Sequence, residues 1–194
     1  MSTNPFDFNS AQSNSFDLIP VDTIAPMVMT IRAGSAGDGG WLTAGKPPSD
    51  AFYLNAEFVI SGGRFKGRKF WQNMVVSGGK VDASGQSIAG SITRSSLRGI
   101  LESARGIKAD DESEAAKKAR LVSGYGDFSG IEFVGKIGIE KGSQGYSDKN
   151  KLVAAIGPES AVYADAKAGG GNVTPITNAT PAASAGGAVP KWAA

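Results

Sequence analysis

Residues 52–76, FYLNAEFVISGGRFKGRKFWQNMVV, read as two strands joined by a short glycine turn. Residues 51–61 and 68–76 carry the strand composition, and Gly62 and Gly63 open the loop between them. No acidic residue falls between Glu57 and Asp82, whereas Arg64, Lys66, Arg68, Lys69 and Lys80 do. Phe52, Tyr53, Phe65, Phe70 and Trp71 belong to the same hairpin. Fixed positive charge beside flat rings suits a single-stranded nucleic acid, which offers phosphates and unstacked bases together. The same composition also suits an ordinary hairpin whose rings fill a core and whose lysines keep its edge soluble. Strand alternation puts Phe70 and Trp71 on opposite faces, so only one can meet a ligand, and Trp71 is the expected one.

Working outward, residues 25–33, APMVMTIRA, form a first strand. A glycine- and proline-rich loop over residues 34–50 separates it from the hairpin. After the hairpin the period changes. Ile88, Ile92, Leu97, Ile100, Leu101 and Ala104 recur at helical spacing, which predicts an amphipathic helix over 87–107. Residues 110–121, DDESEAAKKARL, predict a short second helix with acids at its start and bases at its end, complementing the helix dipole. Residues 130–140 and 151–156 predict two further strands, joined by a polar loop over 141–150. Three strands, helices, then two strands is the order of an OB-fold. The expected fold is therefore mainly β, a five-stranded Greek-key barrel with helices between strands three and four. Its long first loop and its last loop lie where such barrels grip oligonucleotides.

The expected domain spans residues 23–163. Residues 1–22 form an N-terminal arm, and 164–194 form a disordered tail of Gly, Ala, Pro and Thr too poor in large apolar residues to offset its ordering entropy. Trp192, near the end of that tail, is a candidate for docking a partner.

Composition narrows the chemistry. The chain of 194 residues has 20 Lys and Arg against 18 Asp and Glu, so a nucleic-acid site must come from local clustering and not from total charge. There is no cysteine and no histidine. Their absence removes thiolate nucleophiles, histidine bases and nearly every zinc or copper site. Acidic residues crowd one helix start, Asp110, Asp111, Glu112 and Glu114, where capping explains them. The expectation is a protein without an enzymatic site or cofactor. Residues 1–18 lack a basic stretch and an apolar core, and no window is apolar enough to span a membrane, so a cytoplasmic location is expected.

Gly40 to Lys46 matches seven positions of a phosphate-binding loop, but Pro47 stands where Ser or Thr should hold magnesium. Trp41 and Lys46 are better read as a stacking ring and a phosphate contact on a glycine-rich loop. Gly124, Gly126 and Gly130 miss the dinucleotide spacing and predict a turn that packs Tyr125 and Phe128 on the domain. Arg94, Arg98 and Arg105 share one helix face with Glu102, either a solvated charged face or an extension of the basic surface. Tyr146, Lys149 and Lys151 border the last loop and can stack a base and contact phosphate, although Asp148 weakens the field there.

The hairpin YLNAEFVISGGRFKGRKFWQNMVV, the helix SSLRGILESARGI and the stretch FVGKIGIEKGSQGYSDKNKLVAAIGP, within residues 51–158, together resemble a phage-encoded family. Its members are described mostly as a domain of unknown function and are found among replication and recombination genes. The resemblance implies an OB-fold protein that binds single-stranded DNA in phage replication or recombination. On the matched positions it points to Arg64, Lys66, Arg68, Lys69, Trp71, Tyr146, Lys149 and Lys151. With Trp41, Lys46 and Tyr53 from the residue reading, these make the expected binding set of a homo-oligomer whose tail meets phage or host replication proteins. The alternative expectation is a structural or adaptor protein, a virion or assembly component whose barrel and tail bind protein partners.

Overall fold

Six strands and three α-helices emerge from these periods in the computed structural model, which describes residues 17–143 and 145–169. They run β1 (Thr23–Arg32), β2 (Leu42–Ala44), β3 (Phe52–Ile60), β4 (Lys69–Ser77), α1 (Ile88–Arg105), α2 (Glu114–Ala119), β5 (Ile131–Glu140), β6 (Lys149–Ala155) and α3 (Tyr163–Lys167). The fold is mainly β, and every strand pairing is antiparallel. β1 lies between β3 and β5, β4 adds outside β3, and β6 adds outside β5. The three-residue β2, inside the stretch expected to be a plain loop, pairs with Phe52–Leu54 on the β3 edge that β1 uses from Asn55 to Ile60. β1 and β2 thus act as one long strand interrupted by residues 33–41.

Alternation sorts each strand into two faces. Met27, Met29 and Ile31 of β1, Leu54, Ala56, Phe58 and Ile60 of β3, Phe70 and Met74 of β4, and Phe133 and Ile137 of β5 are buried in one core. α1 packs on β4, β5 and β6 and adds Leu97, Ile100 and Leu101 to it. Its buried stripe starts with Gly90 and Thr93, and the expected Ile88 and Ile92 stand exposed. Close approach explains the shift of face: a Cβ on Gly90 would come within 2.3 Å of the Val76 carbonyl oxygen, so the helix start lies directly on β4. Ser87 caps this end, accepting from Gly90 N at 3.1 Å.

The expected closed five-stranded barrel is not what forms. The sheet has six strands and is open, because β4 and β6 share no ladder among the described residues. Residues 17–20 run along the seam instead. Ile19 is fully buried, its N–H donates to Asn150 Oδ1 (2.9 Å), and Asn150 Nδ2 donates back to Ile19 O (2.8 Å). Across the seam, Arg68 donates to the Asp17 carbonyl. Further along, a side chain replaces the missing rung, with Leu152 N donating to Gln72 Oε1 (2.9 Å).

The folded body also extends past residue 163. α3 buries Tyr163 and Ala166 against Val134, and Tyr163 donates its hydroxyl proton to Ser103 O (2.6 Å). The arginines of α1 are only partly a solvated face. Arg98 pairs with Glu102 (2.8 Å), and Arg105 donates to the carbonyls of Ala119 and Leu121, which holds the α2 segment against α1.

Candidate nucleic-acid interface

The register of β3 and β4 decides which ring is presented. Phe70 lies opposite Phe58 and stacks on it at 5.1 Å between ring centroids, inside the core. Trp71 lies opposite Glu57 on the other face and is 48% exposed. It is held in place. The Glu57 carboxylate accepts from Arg32 (2.6 Å) and Trp71 Nε1 (2.9 Å) on one oxygen and from Lys69 (3.2 Å) on the other. The Arg32 guanidinium sits 5.9 Å from the Trp71 ring centroid, so one face of the indole is already covered by a cation. Hydrogen bonds from Arg32 first and Trp71 second, with Lys69 adding to them, hold the Glu57 carboxyl at about 2 against its ordinary 4.5.

Beside this cluster, the open seam forms a groove of about 540 Å³. Arg68, Lys69, Phe70 and Trp71 line one wall, Asp148, Lys149 and Asn150 the other, and Leu18 also borders it. Four of the expected binding residues, Arg68, Lys69, Trp71 and Lys149, therefore share one depression. Lys149 also lines a smaller recess of about 240 Å³ with Tyr146, whose ring is exposed. The charges here are largely matched. Lys149 pairs with Glu140 (3.4 Å), and Lys141 pairs with Asp148 (2.7 Å). The Lys141 contact and the Gly142 N–H hold the Asp148 carboxyl below its usual range.

The other expected residues lie apart from the groove. Arg64 and Lys66 stand exposed on the loop between β3 and β4, with Arg64 5.5 Å from the Phe65 ring. Lys151 sits on β6 opposite Gly138. Tyr53 shares the outer face of β3 with Glu57, four residues or about 13 Å away, and is half-buried. Lys46 is exposed on the loop before β3, roughly 17 Å or more along the strand from Glu57. Trp41 is half-buried against the core, and a methyl on Gly126 would meet its ring at 2.8 Å, so packing occupies the ring expected to stack a base. Trp192 lies outside the described residues.

Sequence reasoning missed Arg32, Glu57, Leu18 and Asn150. For Arg32 and Glu57 the signal was present, since each occupies the outward phase of its strand's alternation, but their meeting depends on a register between strands distant in sequence. Among the described residues, no group of three or more Asp, Glu, His or Cys side chains is placed to hold a metal ion. No helix of the described residues is long and apolar enough to cross a membrane. No protein-family model matches the chain, and no curated protein matches it in sequence.

Proposed function

We propose that this protein binds single-stranded DNA without sequence preference, as a non-enzymatic, cytoplasmic component of phage replication or recombination that works as a homo-oligomer. The observation that carries this reading is the convergence of Trp71, Arg68, Lys69 and Lys149 on one groove, with Tyr146 in the adjoining recess. A base stacks on the open face of Trp71, since Arg32 covers the other. Phosphates pass along Arg68 and Lys149 towards the tip that carries Arg64 and Lys66. The spatial order β4-β3-β1-β5-β6, with α1 between β4 and β5 in the chain, supports reading the sheet as an OB-type barrel opened at one seam.

Charge pairing sets the expected strength. Lys69 and Lys149 must exchange a carboxylate for a phosphate, so about three to four contacts are expected, giving a slope of log affinity on log salt of about −2 to −3. Titrating the full chain with a dT oligomer while following tryptophan fluorescence at low and high salt tests this. Trp71→Ala should weaken binding by about 1–3 kcal/mol and leave the fold intact. Absence of binding at low salt sinks the proposal. One observation favours the rival reading, a structural or adaptor protein: two of the groove's cations, Lys69 and Lys149, are already matched by Glu57 and Glu140. In that case the titration shows nothing at any salt concentration.

A further inference from the structure

A second depression, about 690 Å³ and larger than the Trp71 groove, lies between α1, the loop that interrupts β1 and β2, and residues 120–128. That volume falls within the range of pockets that take specific ligands. Its floor is apolar, built from Leu42, Val76, Leu97, Leu101 and Phe128. Gly124 borders it with no atom within 4 Å of where a Cβ would stand, so its wall is open there.

Arg98 and Arg120 both donate to a single oxygen, Glu102 Oε1, at 2.8 Å each; Arg98 also donates to the Ala109 carbonyl, and Arg120 to those of Lys108 and Asp111. Arg94 lines the same cavity and has no ion-pair partner among the described residues. Asp38 is the one acid among the lining residues, and Glu112 lies in an adjoining recess beside Lys117. Glu112 acts on Arg98 from that recess, Lys117 being paired with Glu114, so the rim cation left without a partner is Arg94, an exposed and adjustable side chain. Leu121 stands in the chain between two lining residues, Arg120 and Val122. Leu121 is 72% exposed and Val122 38% exposed. A ligand of the cavity's own size would leave Leu121 wet, whereas a polypeptide segment crossing the mouth covers it.

We infer that this cavity docks a segment of a partner protein, one that inserts a large apolar side chain and presents carboxylates to Arg94. This site is separate from the Trp71 groove and does not depend on the nucleic-acid reading. The chain's own Trp192 carries Lys191 beside it, the wrong charge for Arg94.

The test is a titration of the ¹⁵N-labelled full chain with the blocked pentapeptides Asp-Glu-Xaa-Leu-Glu, where Xaa is Trp, Phe or Leu, and with the same peptides carrying lysine for each acid. Saturable shifts at the amides of Gly90, Ser123 and Gly124 are expected from at least one acidic peptide and from none of the lysine peptides. Arg94→Glu and Val122→Asp, both on the rim, should each weaken binding about tenfold or more, while Trp71→Ala leaves it unchanged. No saturable binding by any acidic peptide, equal binding by the lysine peptides, or indifference to Arg94→Glu overturns the inference. So does self-association that Arg94→Glu abolishes, which would make a second copy the occupant. A rise in peptide affinity on Trp192→Ala would assign the cavity to the chain's own tail and overturn it equally.

Discussion

Glu57→Gln separates the two roles of the Arg32–Glu57–Lys69–Trp71 cluster, because it keeps the shape and an acceptor for Trp71 Nε1 but deletes the charge. The carboxyl falls from 4.5 to about 2, which at face value is roughly 3 kcal/mol of preference for the ionised form. The Arg32 and Lys69 side chains are 55% and 51% exposed, so water and salt screen much of this. A loss of about 1–2 kcal/mol of stability is expected at neutral pH. Because the carboxyl's pKa is lowered by folding, its contribution is complete above 4.5 and disappears as pH falls from 4.5 through about 2. Urea midpoints of wild type and Glu57→Gln should therefore differ at pH 7 and converge near pH 2. Asp82, Asp111 and Asp148 are also held low by local hydrogen bonds, but they titrate in both proteins and cancel in the difference. On single-stranded DNA the sign reverses. Removing a negative charge from the edge of the groove frees Arg32 and Lys69, so the variant binds dT oligomers more tightly and with a steeper salt dependence. A midpoint difference that stays constant from pH 7 to pH 2 refutes the pair energetics. Unchanged DNA affinity refutes the placing of the strand beside Trp71.

Phe70→Ala removes the ring stacked on Phe58 and should cost about 3–5 kcal/mol in urea unfolding, whereas its neighbour Trp71 is tolerant. Asn150→Ala strands the Ile19 N–H and carbonyl inside the seam and should cost about 2–4 kcal/mol, with faster hydrogen exchange at the Ile19 amide as the local readout.

Much of the architecture could be read from local periods. The hairpin, the helix after it and the two closing strands all appear close to where alternation and helical spacing put them, because those periods report which face is buried. What could not be read depends on partners far away in sequence. Ile88 and Ile92 have the right spacing for a buried stripe, yet Gly90 and Thr93 take that place, because the helix approaches β4 too closely for a side chain at position 90. Barrel closure depends on whether β4 and β6 meet, and no local pattern reveals that Asn150 uses its side-chain amide to bind residue 19 instead. The ring of Trp41 looked available because its loop is rich in glycine, but those glycines include Gly39, which packs on that ring. At the candidate site, alternation separated Phe70 from Trp71 correctly. The counter-charges from Glu57 and Glu140 depend on register, which the residue types alone do not disclose.

That pairing also explains how a chain with a formal net charge of only +2 can serve the proposed role. A bare cluster of lysines and arginines would repel itself in the free protein and leave Trp71 without a fixed orientation. With Glu57 at its centre, the indole is anchored at its N–H and backed by Arg32 before any strand arrives, so less side-chain freedom is lost on stacking. The cost appears in the phosphate contacts, since Lys69 and Lys149 give up one anion to take another and gain only the difference. Arg64, Lys66 and Lys151, which have no ion-pair partner among the described residues, face no such exchange. On the proposed function, then, stacking at Trp71 and unpaired cations beyond the groove supply the affinity, while the paired cations fix the geometry. A strand held this way is gripped without sequence preference, because every base presents a π-face to the open side of the ring.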